Sequence, residues 1–228
     1  MTNKKMNRRN FIRAAAATGV LAVGGTALWQ LDLLRGVRDT ALRQFPGVFY
    51  IERLRQVVAS DVGRGRVLMW EVSSPVENQM VELRVQGSEE VRRIAAEDAR
   101  FTDDGTEVYQ YTADLDHLTA GNSYQYRITA GDAATDWQML YAPTVNESYK
   151  MLIFPDAQSS DYADWKQLAH LAWARNTDAE IFTCMGDLVD NGEDRLQWTE
   201  FFVGIKEMQR SIPMAPVMGN HETYNLDW

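Results

Sequence analysis

Three short polar groups stand out by residue type and by what precedes them. Asp156-Ala157-Gln158 follows the apolar run Lys150-Met151-Leu152-Ile153-Phe154. Gly186-Asp187 follows Ile181 to Met185, and Gly219-Asn220-His221-Glu222 follows Ala215 to Met218. Aspartate and asparagine side chains are hard oxygen donors of the kind that divalent and trivalent cations take, and a carboxylate between two cations can bridge them. The glycines ahead of Asp187 and Asn220 let the backbone turn sharply where a cation and its ligands come close. Singly, each group has an ordinary structural reading: Gly-Asp is a common turn, and Asp156 can cap a helix. Their recurrence at the same place after successive apolar runs is what points to a joint site.

The elements that must position them follow from periodicity. A helical pattern runs from about Asp161 to Arg175, with Ser159 or Ser160 as its cap and Trp165, Leu168, Leu171 and Ala172 on one stripe. A second helix is expected near Leu196 to Gln209, presenting Trp198, Phe202, Ile205 and Met208. The order strand, helix, strand, helix, strand predicts a parallel sheet built by right-handed crossovers. Such sheets gather ligands beyond the carboxyl ends of their strands, so Asp156, Asp187 and Asn220 are expected to converge although about thirty residues separate each from the next.

Upstream the texture changes. Val67 to Val72, Val81 to Val85, Val108 to Tyr111 and Tyr124 to Ile128 are short apolar or alternating runs, separated by Gly63, Gly65, Ser73-Ser74-Pro75, Asp103-Asp104-Gly105, Ala120-Gly121-Asn122 and Gly131-Asp132. This predicts a small antiparallel β-sandwich over residues 48–143, ahead of an α/β region over 148–228. The segment Leu118 to Tyr126, with Trp70, resembles the turn, paired tyrosines and buried tryptophan of fibronectin-type-III-like domains. Its aromatics on alternating strand positions read as core rather than as a carbohydrate platform.

The amino terminus reads as an address. Asn7-Arg8-Arg9-Asn10-Phe11-Ile12-Arg13 precedes a charge-free stretch from Ala14 to Trp29, which resembles a twin-arginine export signal over residues 1–30, with a linker at 31–47. Gly25-Thr26-Ala27 offers a cleavage site, an uncleaved anchor being the alternative. The resemblance implies the twin-arginine translocase as a partner and a periplasmic or extracellular location, with membrane contact only through an uncleaved signal.

The net charge is −9, and five basic residues precede the first acid, Asp32, which leaves −14 on the rest. An acidic body of this kind repels a phosphate backbone and argues against nucleic-acid binding by a basic surface. Cys184 is the only cysteine, so no intrachain disulfide forms, and its apolar neighbours make it a core thiol.

With these residues in view, Asp156-Ala157-Gln158, Gly186-Asp187 and Gly219-Asn220-His221-Glu222 resemble the first three motifs of the calcineurin-like metallophosphoesterase superfamily, including the purple acid phosphatases, whose catalytic core follows a β-sandwich like the one read here. The resemblance implies the first half of that α/β core and two metal ions, divalent or mixed-valence, with Fe, Mn and Zn all fitting the donors. It implies Asp156 on the first metal, Asp187 bridging both, and Asn220 on the second. His221 would face the phosphate and Glu222 would orient His221, while a hydroxide held by the metals attacks phosphorus of a phosphoester substrate.

Two positions depart from the pattern. Gln158 stands where many members carry a metal-binding histidine, which implies a weaker or water-mediated first site. Asp190 stands where purple acid phosphatases carry a tyrosine ligand, which removes the expectation of a purple charge-transfer colour. The family's further metal histidines come from motifs well beyond the Gly-Asn-His segment, whereas this sequence has only His117, His170 and His221. The expectation is therefore an incomplete chain, poor or inactive as an enzyme, whose parallel sheet ends at an unpaired edge. The competing readings are a non-catalytic exported binding or adhesion protein with a vestigial half-core, and a phosphodiesterase of the same superfamily.

Overall fold

Alternation does in space what it promises in sequence. In a computed structural model that describes residues 51–72, 75–103, 105–144, 148–159 and 161–223, the strand Ser123–Ala130 turns Tyr124, Tyr126, Ile128 and Ala130 inward and their neighbours outward along its whole length. The export signal and linker read at residues 1–47 lie outside the described residues. The first nine strands are β1 (Glu52–Val58), β2 (Arg66–Val72), β3 (Gln79–Val85), β4 (Arg92–Ala95), β5 (Glu97–Asp103), β6 (Thr106–Leu115), β7 (Ser123–Ala130), β8 (Ala133–Ala134) and β9 (Gln138–Tyr141). They form the expected sandwich. One sheet runs β4-β3-β7-β8 with β9 also on β7, and the antiparallel strands β1, β2, β6 and β5 belong to the other. Trp70 is fully buried between them, stacked on Tyr111 at 5.9 Å and donating its indole N–H to Gln79 Oε1. Tyr124 and Tyr126 are likewise core.

The second region supplies β10 (Met151–Phe154), α1 (Tyr162–Arg175), β11 (Ile181–Met185), α2 (Arg195–Gly204), α3 (Lys206–Ser211) and β12 (Met214–Val217). The three strands are parallel and in the order β10-β11-β12, as the strand–helix alternation requires. Both longer helices lie over one core of Phe154, Trp165, Phe182, Cys184, Phe201, Ile205, Met208 and Met214. Cys184 is buried there and its thiol is pushed up to about 12 by desolvation.

Several expectations are corrected. The cap of α1 is Asp161, whose Oδ1 accepts from the Ala163 N–H at 2.9 Å; Ser159 instead hydrogen-bonds the main chain of Asp161. Its buried stripe is Tyr162, Trp165 and Ala169, while Leu168 and Leu171 are exposed. The single helix expected near Leu196 to Gln209 is two, broken at Ile205. The break adjoins Gly204, where a Cβ would stand 2.5 Å from the Trp165 indole nitrogen. The indole donates to the Phe201 carbonyl at 3.0 Å and stacks on the Phe201 ring at 5.4 Å, so α1 presses directly on the backbone of α2.

The expected unpaired edge beyond the third parallel strand is covered. β12 pairs in parallel with β1, Val57 opposite Met214, which joins the two regions into one seven-stranded sheet, β10-β11-β12-β1-β2-β6-β5. A charged seam accompanies the join. Arg53 pairs with Glu71 at 3.3 Å and donates to Thr199 Oγ1 of α2, Arg195 of α2 pairs with Asp103 at 2.7 Å, and Arg53 and Arg55 lie over the Phe202 ring. Among the described residues no helix is long and apolar enough to cross a membrane.

Candidate active site

Each polar group leaves a parallel strand at its carboxyl end and turns at once. Asp156 and Asp187 both adopt the left-handed region, with φ of 51° and 49°, and Gly186 precedes the second at φ 84°. Left-handed backbone is uncommon for a non-glycine residue and occurs where the surroundings hold it in place. Here the holding groups are visible. The Gln158 N–H donates to the Asp187 carbonyl at 2.8 Å, tying the first loop to the second. The His221 N–H donates to Asp187 Oδ1 at 3.2 Å, tying the third loop to the carboxylate itself. Gly219 is required at its position, since a Cβ there would lie 2.2 Å from Asp187 Oδ1.

Glu222 is not placed as expected. Its carboxylate accepts the main-chain N–H groups of Asp187 at 3.0 Å, Leu188 at 2.7 Å, Val189 at 3.2 Å and Gly219 at 2.7 Å. It clamps the Asp187 turn onto the Gly219 turn. Asp190 is held against the His221 ring, its carbonyl 2.8 Å from Nδ1 and a carboxylate oxygen at 3.6 Å. A carbonyl only accepts, so Nδ1 carries a proton in this arrangement. The Asp190 carbonyl raises the imidazole above its ordinary range, with the Asp187, Asp190 and Glu222 carboxylates adding to the effect against a smaller opposing cost of burial.

The structure therefore brings Asp187, His221, Glu222 and the Gly219–Asn220 turn into direct contact, with the Gln158 main chain attached. Asp156 sits two residues before Gln158 on the same loop, at an exposed position, and Asn220 is exposed beside His221. Among the described residues no three His, Cys, Asp or Glu side chains gather closely enough to hold a metal ion. Two observations nevertheless fit a cation. Gln158 Oε1 is buried with no hydrogen-bond partner, and the donors Asp156, Gln158, Asp187 and Asn220 are all hard oxygens. His117 and His170 are exposed and away from these loops in sequence, as expected for surface residues. A cleft of about 570 Å³ lies on the sandwich among Val76, Asn78, Met80, Ala96 and Tyr111 and includes none of these donors.

Sequence reasoning missed Gln197. Its Oε1 accepts from the Asp190 and Asn191 N–H groups at 2.8 and 2.9 Å. Asp194-Arg195-Leu196-Gln197 has the spacing of a capping box, the pattern that could have drawn notice to it.

Comparison with known proteins agrees with this architecture. Residues 52–144 match the purple acid phosphatase N-terminal domain, and residues 133–228 match the calcineurin-like phosphoesterases. Each of these matches covers less than half of the chain, and each is a similarity of the region it spans. Among solved structures it is similar to purple acid phosphatase PPD1 from yellow lupin (Lupinus luteus) seeds, with a TM-score of 0.65 and 15% identity over 78% of this chain. It is also similar to PhoD, with a TM-score of 0.53 and 12% identity over 78% of this chain. At these identities the likeness is one of fold. The chain spans 36% and 40% of the lengths of those two proteins. No curated protein sequence matches it.

Proposed function

We propose that this chain is part of an exported, metal-dependent phosphoester hydrolase, and that its three loops form one side of the site that grips the phosphoryl group. The observation that carries the reading is the attachment of His221 and the Gly219 turn to the Asp187 carboxylate, at the carboxyl edge of a parallel sheet. Asp156, Gln158, Asp187 and Asn220 would hold the metal ions, with Asp187 the central ligand. When bound, such ions polarise a phosphoryl oxygen and neutralise charge on attacking and leaving groups. Asp187 is fixed by the His221 N–H, and its turn by the Glu222 clamp. His221, with Nδ1 committed to the Asp190 carbonyl, presents Nε2 for proton exchange with a departing alkoxide, and its raised pKa favours the protonated, donating form.

Export rests on the twin-arginine-like sequence at Arg8 and Arg9. The four side-chain donors, two of them neutral amides, form a weak set for two cations, so the 228-residue chain by itself is expected to turn over poorly. Calorimetry with inorganic phosphate tests the site. Phosphate should bind only when Mn²⁺ or Zn²⁺ is present, and Asp187→Asn should abolish that binding. Metal-independent binding, or none in either case, would contradict the reading. Efficient hydrolysis of a phosphate monoester by the 228-residue chain would contradict the expected inactivity.

A further inference from the structure

Gln197 stands in the first turn of α2, three residues after the cap Asp194, where a capping box would send its side chain back to the cap's own N–H. That N–H is already taken by the Asn191 carbonyl at 3.0 Å. The Gln197 oxygen reaches further, to the N–H groups of Asp190 and Asn191, and the Tyr162 hydroxyl at the start of α1 lies 3.3 Å from the same atom. Three donors from two elements thus meet one acceptor.

The Asn191 N–H and the Asp190 carbonyl are two ends of a single peptide plane, which rotates as a rigid unit. Holding the N–H on Gln197 turns the carbonyl the opposite way, and that is the side on which His221 Nδ1 lies at 2.8 Å. We propose that Gln197 is a positioning residue for His221, setting its ring tautomer through the Asp190–Asn191 peptide. The purpose of this arrangement rests on the hydrolase reading above; the arrangement itself does not. Gln197 acts through hydrogen-bond acceptance, so glutamate can replace it and methionine, of similar length, cannot.

The test is nitrogen NMR of the His221 ring in the full chain at about pH 9, with the ring shown to be neutral by its own nitrogen shifts because its pKa is raised, and with amide exchange measured alongside. The wild-type ring should carry its proton on Nδ1. In Gln197→Met the proton should redistribute toward Nε2, and the Asn191 amide should exchange at least about tenfold faster. Gln197→Glu should keep both properties of the wild type. A wild-type ring protonated on Nε2 would overturn the proposal without any variant. So would an unchanged tautomer and exchange rate in Gln197→Met, or a Gln197→Glu protein that behaves like it. Loss of metal-dependent phosphate binding by the wild type, with the tautomer following Gln197, would instead remove the hydrolase reading and leave the positioning intact.

Discussion

Glu222 is bonded to Asp187, Leu188, Val189 and Gly219, so removing it strips four main-chain donors of one acceptor at once. Hydrogen bonds to a charged group contribute more than neutral ones, and Glu222→Ala is expected to cost about 2–4 kcal/mol of stability, read by urea denaturation. A cost under about 0.5 kcal/mol would mean that the clamp is not formed in solution. The contact between the second and third loops was legible because Gly186-Asp187 and Gly219-Asn220 each follow an apolar run that becomes a neighbouring parallel strand. The partnership inside the third loop was not. Adjacency in sequence invites pairing of Glu222 with His221, but the third loop folds back so that the Glu222 carboxylate meets main chain while the ring meets Asp190. Such a choice is made by loop curvature, which residue identities do not encode singly.

Among the elements, the longer strands of the sandwich and the span of α1 were readable, whereas short β9 was not, nor was the buried stripe of α1. β7 alternates without a fault, and α1 begins and ends within a residue or two of its expected span. The break between α2 and α3 was not readable, because its neighbour Gly204 serves contact with Trp165 across helices rather than any local preference. Gly204→Ala is accordingly expected to cost about 1–3 kcal/mol by overpacking, with a changed tryptophan fluorescence spectrum as the readout. An unaltered spectrum and unaltered stability would count against the close approach.

The sandwich carries its own pH dependence. Glu82 is buried on β3 with Arg127 at 2.6 Å and Arg93 at 2.9 Å. Burial alone would raise its carboxyl; hydrogen bonds from the two arginines outweigh that and hold it below the usual carboxylate range. A carboxyl lowered on folding stabilises the protein above its unfolded pKa of about 4.5, and that contribution is lost as pH falls through the lower folded value. Denaturation midpoints measured from neutral to about pH 3 should fall less steeply in Glu82→Gln than in the wild type. Parallel curves would contradict this.

At the scale of the molecule, the sheet shared through β1 and β12 makes the sandwich a wall of the α/β region rather than a separate bead. That join was illegible in advance because parallel pairing of strands more than 150 residues apart leaves no local trace. Arg195, Arg53 and Thr199 extend the contact to α2, whose Gln197 holds the Asp190 loop, so a path of contacts runs from sandwich to His221. The convergence of the three loops on a cation remains the claim on which the functional account stands. Substoichiometric Mn²⁺ added to the nitrogen-15-labelled chain tests it directly, because a bound paramagnetic ion broadens the amide signals around it. Broadening is expected first at Asp156, Gln158, Asp187, Asn220 and His221, and is expected to be lost in Asp187→Asn. Broadening scattered over the acidic surface of the sandwich, with these five signals no more affected than the rest, would contradict it.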